Sequence, residues 1–182
     1  HSLDIEKASL NYDCLTHLPS DNAENTPPNL TALWAALPIS DVKVKHVQLT
    51  NTDALRQAAL QPFLSADWAL DANYNGNQLA LEVQANNDGL ELHHQSTITP
   101  RDGIFQWTGN TDIKQSGDKT YNLHFTANFE PDLSQLPQQG NVLFNWNNPE
   151  LAVTKGEAKV SWQGADGQLN VQDLTAKIGR AH

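Results

Sequence analysis

The stretch DANYNGNQLALE, residues 71–82, admits two readings, and the choice between them decides the fold. In the first it is a calcium loop, with Asp71, Asn73 and Asn75 at the first, third and fifth positions, Gly76 at the sixth and Glu82 at the twelfth. In the second it is two β-strands joined at Asn75-Gly76, a pair that tolerates the positive φ of hairpin turns. The calcium reading requires a helix on each side of the loop. Upstream, Pro62 interrupts the approach, and Trp68, Leu70, Ala72 and Tyr74 alternate with Ala69, Asp71 and Asn73. Downstream, Leu79, Leu81, Val83 and Ala85 alternate with Ala80, Glu82 and Gln84 until Asp88-Gly89 ends the run. Only Asp71 and Glu82 would be charged ligands, and on paired strands away from the turn they are not expected to converge on one ion. The hairpin reading prevails, and no metal is expected.

The same period of two recurs outward from this hairpin. Tyr121, Leu123, Phe125 and Ala127 alternate with Asn122, His124 and Thr126, and Ala158, Val160 and Trp162 with Glu157, Lys159 and Ser161. Leu169 and Val171, then Leu174, Ala176 and Ile178, finish the series. Asp88-Gly89, Asp102-Gly103 and Asp166-Gly167 supply turns, with weaker signals at Ser116-Gly117-Asp118 and Gln139-Gly140. A succession of hairpins makes an antiparallel meander with one apolar and one polar face.

The first third is less regular. Residues 3–6 and 9–14 read as strands and residues 19–29 as a polar loop. A short helix follows, with Asn29 as N-cap, Leu30, Leu33, Trp34 and Leu37 on one side, and Pro38 as its stop. Val42 and Val44 share a phase that Val47 and Leu49 do not, which predicts a bulge. Residues 53–60 predict a second short helix before Pro62. The expected fold is therefore all-β, a mainly antiparallel meander of hairpins. It forms a curved, elongated, one-sided sheet, or half-pipe, with one or two short helices near the N-terminal third. Residues 1–182 form a single β-rich domain, and a β-sandwich is the alternative.

Composition narrows the function. The 182 residues carry 11 Lys and Arg against 21 Asp and Glu, a net charge of −10 with no basic cluster, so nucleic acid is excluded as a partner. The lone Cys14 cannot close an intramolecular disulfide and speaks against zinc. The absence of Met reads as a piece of a longer or processed chain. No apolar run approaches the ~20 residues that span a bilayer, so any membrane contact would come through regions outside the fragment. Neither G-x-S-x-G nor H-E-x-x-H occurs, nor does a Gly-rich phosphate loop. Adjacent His93 and His94 point to opposite faces of a strand and cannot share a metal. No catalytic residue and no cofactor is expected, and the chain is not read as an enzyme. Trp68 and Trp162 fit core packing, whereas Trp107 and Trp146 fit core, sugar-stacking or lipid contact.

LNYDCLTHLP (10–19), LWAALPISDVKVKHVQLTN (33–51) and GNVLFNWNNPEL (140–151) resemble segments of the YdbH family. That family is also labelled a dicarboxylate-transport domain, and through it the chain resembles the AsmA-like group that includes TamB. The resemblance implies long periplasmic proteins of Gram-negative bacteria, anchored to the inner membrane, whose apolar sheet face carries phospholipid acyl chains between membranes. Other segments of the same long chain are then partners beside the lipid. Lipid-facing candidates are Leu70, Tyr74, Leu79, Leu81, Val83, Leu123, Phe125, Val160 and Trp162. Alternation alone fits these residues equally to a closed sandwich core. A module binding carbohydrate or protein through Trp107 or Trp146, and a structural domain of the cell envelope, stay open beside this reading. The dicarboxylate label lacks a strand-borne Arg pair able to grip carboxylates.

Overall fold

Residues 71–82 form a hairpin. In the computed structural model Asp71 pairs with Glu82, Ala72 with Leu81 and Tyr74 with Leu79, leaving residues 75–78 as the loop. The loop is wider than the two residues read from Asn75-Gly76. Gly76 takes φ 89°, while the Asn75 side-chain oxygen accepts the backbone N–H groups of Asn77 and Gln78 at 3.0 and 2.9 Å. The structure describes residues 2–11, 30–36, 40–50, 61–130, 139–165 and 168–178.

Ten strands alternate along these residues: β1 (Ser2–Asn11), β2 (Asp41–Thr50), β3 (Asp67–Tyr74), β4 (Leu79–Asn87), β5 (Leu90–Arg101), β6 (Ile104–Gln115), β7 (Lys119–Phe129), β8 (Gln139–Asn147), β9 (Lys155–Ala165) and β10 (Gln168–Ile178). They form one open sheet in chain order, with β1 and β10 at its edges. The all-β expectation holds. All ten strands share one sheet, so the architecture is not the two-sheet sandwich held as the alternative.

Every pairing from β2 to β10 is antiparallel, but β1 runs parallel to β2. A parallel neighbour needs a crossover, and this one carries helix α1 (Leu30–Ala36). The phase slip in β2 is a bulge: Val44 pairs with Leu70 and Val47 with Trp68, so Lys45 and His46 oppose Ala69 alone. Both residues of the bulge turn to acids, Lys45 Nζ to Glu6 at 2.6 Å and His46 Nδ1 to Asp67 at 2.6 Å. The ion pair holds the Glu6 carboxyl below, and the Lys45 amine above, its ordinary value.

The remaining turn and helix expectations fare differently. Helix α2 spans Gln61–Leu64, with Pro62 inside its first turn, where its missing N–H costs nothing; residues 53–60 and 12–29 lie outside the described residues, as does the turn at Asp166-Gly167. Asp102-Gly103 and Gly117-Asp118 do supply positive-φ turns. Gln139-Gly140, read as a turn, is the start of β8.

Two small cores anchor the helices on one face of the sheet. Ala66, which follows α2, packs with Ala85 and Leu90, and Phe63, Trp68, Leu92 and Ile113 close around them. At the opposite strand ends, Trp34 of α1 meets the Tyr74 ring edge-on at 5.1 Å and Phe105 at 5.3 Å. Its indole N–H donates to Gly76 O at 3.1 Å, and the Tyr74 hydroxyl donates to Trp34 O at 2.8 Å.

Candidate functional site: the apolar face

Residues directly opposite in an antiparallel ladder point to the same face, so the register traces continuous rows. One row runs Tyr74, Leu79, Ile98, Trp107, Ala127, Gly140 and Trp162. The next runs Ala72, Leu81, Ser96, Gly109, Phe125, Val142 and Val160, and a third Leu70, Val83, His94, Thr111, Leu123, Phe144 and Ala158. All nine candidates, from Leu70 and Tyr74 to Val160 and Trp162, therefore stand on one face across β3–β9.

The rows also bring in residues the sequence did not single out for that face: Ile98, Val142 and Phe144, together with Phe105 and Phe129 near the rim. The signal was present in the alternation of β5, β6 and β8. It was blurred by Ile104 and Leu143, which put apolar residues on the other face.

Aromatic packing is dense here. Trp107 meets Phe125 edge-on at 5.0 Å and Phe129 at 6.1 Å, and Phe144 stacks with Tyr121 and Trp146 at 6.3 and 5.7 Å. Two more Trp rings lie over glycine gaps. A Cβ on Gly140 would sit 2.5 Å from Trp162 Cη2, and one on Gly156 would sit 2.7 Å from Trp146 Cε2. In the paired rows of β3–β9 the one Lys, Arg, Asp or Glu on this face is Lys119, at the rim, paired with Glu150 at 2.7 Å.

The opposite face is a mesh of amides, hydroxyls and carboxylates. Asn122 donates to Asn110 and Asp112 at 3.1 and 2.7 Å, and Thr97 and Thr108 pair at 3.0 Å. Asp71 and Glu82 are a cross-strand pair, closer together than the sequence reading allowed, but each is engaged elsewhere. Asp71 binds Lys43 at 3.1 Å, while Glu82 takes hydrogen bonds from Gln84 and His93 at 2.8 and 2.9 Å. Those two bonds hold the Glu82 carboxyl below its ordinary range. Two hollows of about 750 and 680 Å³ open on this face, and the polar side chains lining them are bonded largely to one another. Among the described residues no group of three or more His, Cys, Asp or Glu could hold a metal ion.

One polar island interrupts the apolar face. His93 and His94 do point to opposite sides, and His94 lies inside the rows. Its Nδ1 is 2.8 Å from Thr111 Oγ1 and its Nε2 is 2.9 Å from Ser96 Oγ. Its ring stacks on Phe125, centroids 6.2 Å apart. Burial, and then the neighbouring His93, push the His94 imidazole below its ordinary value.

An open sheet with one aromatic-rich face, charged only at Lys119 on its rim, and one largely polar face defines a scaffold that presents hydrophobic surface. Over residues 1–178 the chain matches the YdbH-like family, described as "Intermembrane phospholipid transport protein YdbH", and it belongs to that family. The family is one of lipid transport, not an enzyme class. No curated protein and no solved structure matches the chain. No helix among the described residues is long and apolar enough to cross a membrane.

Proposed function

We propose that the apolar face of β3–β9 binds phospholipid acyl chains and forms one segment of a conduit between two membranes. The observation that carries this reading is the uncharged rows from Leu70 and Tyr74 through Phe125 to Val160 and Trp162, on a sheet whose other face is largely polar. These residues are only half-buried, and a contiguous apolar face left partly open in this way marks an interaction surface. Each methylene moved onto it from water gains roughly 0.8 kcal/mol, which is enough to hold a tail without directed chemistry. Size agrees as well. Six gaps of ~4.8 Å make the β3–β9 face ~29 Å across, against ~15 Å for one leaflet's chains, half of a ~30 Å hydrocarbon core. Family membership supports phospholipid as the cargo and the periplasm as the compartment. Edge strands β1 and β10 each have one neighbour, so further segments of a longer chain would extend the same face toward an inner-membrane anchor.

Two adjacent residues of β9 test this, because they point to opposite faces. Protein purified from Gram-negative cells is extracted with organic solvent and the lipid measured by mass spectrometry. Phospholipid should accompany the wild type and the Ser161→Glu variant, and be lost from Val160→Glu. Lipid-free wild-type protein, or equal loss from both variants, would refute the assignment.

A further inference from the structure

We propose that His94, Ser96 and Thr111 form a neutral hydrogen-bonding station that receives the ester carbonyl oxygen of a lipid lying on the apolar face. This rests on the acyl-chain reading above and adds a fixed position for the polar end of the chain. The three side chains come from the middle of β5 and β6, with His94 directly opposite Thr111 and Ser96 opposite Gly109. Val83 and Leu81 flank them from β4, Leu123 and Phe125 from beyond β6. A polar group among such neighbours costs free energy unless it is paired.

Proton accounting shows what the island can still do. A neutral imidazole has one N–H donor and one acceptor nitrogen. Both nitrogens here face hydroxyls, so one hydroxyl donates to the ring and the other accepts from it. Whichever ring nitrogen holds the proton, the accepting hydroxyl keeps its own proton to give. With the proton on Nδ1 that hydroxyl is Thr111, which is half-buried, whereas Ser96 is 5 % exposed beneath it. A second donor lies against Phe125, the ring on which His94 stacks: Trp107 Nε1 is buried without a partner, and its indole meets Phe125 edge-on. The face thus offers spare donors and, among the described residues, no cation in the rows of His94 and Ser96. It suits an uncharged acceptor, such as an ester carbonyl, and not a phosphate or carboxylate.

The test compares two lipids of the same headgroup and chain length. Dioctanoyl phosphatidylcholine, an ester, and its dioctyl ether analogue compete for a fluorescent acyl probe bound to the 182-residue chain. The ester should bind about fivefold more tightly, the worth of one net neutral hydrogen bond. Thr111→Val, close to isosteric, and His94→Phe, which keeps the stack on Phe125, should bring the ester down to the ether's affinity and leave the ether unchanged. In the wild type the infrared stretch of a ¹³C-labelled ester carbonyl should move to lower frequency on binding. Equal affinities for the two lipids in the wild type overturn the station while leaving the acyl-binding face intact, and need no variant to fold. Failure of both lipids to displace the probe overturns the station and the face together.

Discussion

Replacing Gly140 with alanine should destabilise the protein, against the usual direction of such a change. In a strand interior Gly→Ala normally returns about 0.5–1 kcal/mol, by removing backbone freedom from the unfolded chain. Here the new Cβ would lie 2.5 Å from Trp162 Cη2 on one side and 2.8 Å from the Thr126 carbonyl oxygen on the other. Ordinary carbon contacts sit at ~3.5–4.0 Å. Thr126 is backbone of the neighbouring strand β7 and cannot yield, so the indole must rise by roughly 1 Å from the sheet. Overpacking of this kind costs about 1–3 kcal/mol. After the gain from the lost glycine, about 1–2 kcal/mol of destabilisation remains. For a chain of this length each kcal/mol moves Tm by roughly 2–4 °C. Urea unfolding followed by tryptophan fluorescence measures it. Trp162→Leu should remove the clash, so the double variant should show a coupling of about 1–2 kcal/mol. An unchanged or raised midpoint in Gly140→Ala would show that Trp162 does not lie over the glycine gap.

Other positions make sharp expectations. Leu90→Ala empties the one large, fully buried side chain among the described residues, against Ala66 and Ala85, and should cost about 2–5 kcal/mol by chemical denaturation. Asn148 is 7 % exposed and bonds the Tyr121 hydroxyl at 2.7 Å and the Glu150 N–H at 2.9 Å. Asn148→Ala should cost about 1–3 kcal/mol in the same assay, because a buried side chain and its two hydrogen bonds are lost. Folding lowers the pKa of His94, so the unfolded chain takes up a proton near pH 6.5 that the native site resists. Its contribution is complete above that pH and is lost progressively as the pH falls below it; His94→Phe should flatten the fall in stability as the pH drops below about 6.5. Trp34→Ala removes the ring contacts to Tyr74 and Phe105, and should speed amide exchange in α1 while leaving β7–β9 unchanged.

Much of the sheet was legible because alternation is a local signal. The slip between Val44 and Val47 appears in the sequence as a broken phase and in the structure as a bulge. The nine face residues follow from the same rule, since a period of two fixes the side of every residue once the strand is known. Strand direction is not local. Nothing in the spacing of Leu3, Ile5, Val42 and Val44 says that β1 runs parallel to β2, because alternation is the same in both senses. Gly140 was misread for a related reason. Its lack of a side chain serves the Trp162 ring, which comes from a different strand, and not a turn. Pro62 looked like a helix stop, but a first-turn proline suits a helix start equally well. The island was hidden because His94, Ser96 and Thr111 meet only through the pairing of β5 with β6.

The parallel pair has a consequence for where a ligand can lie. Its crossover carries α1, which sets Trp34 on Tyr74 and Phe105, while α2 places Phe63 and Ala66 over Ala85 and Leu90. The contacts of both helices thus fall on β3–β6, from opposite ends of the strands. Strands β7–β9 carry Tyr121, Phe125, Phe129, Phe144, Trp146 and Trp162 on the same face. Each of these rings is half-buried by protein, and covering the apolar surface that remains gains about 25 cal/mol per Å², so a face holding six has a drive to be covered. On the proposed reading that cover is acyl chain. His94 and Thr111 then sit on β5 and β6, where protein cover gives way to lipid cover. A chain whose ester end stops at that boundary can run its tail over β7–β9, with no polar atom of its own left against an apolar side chain.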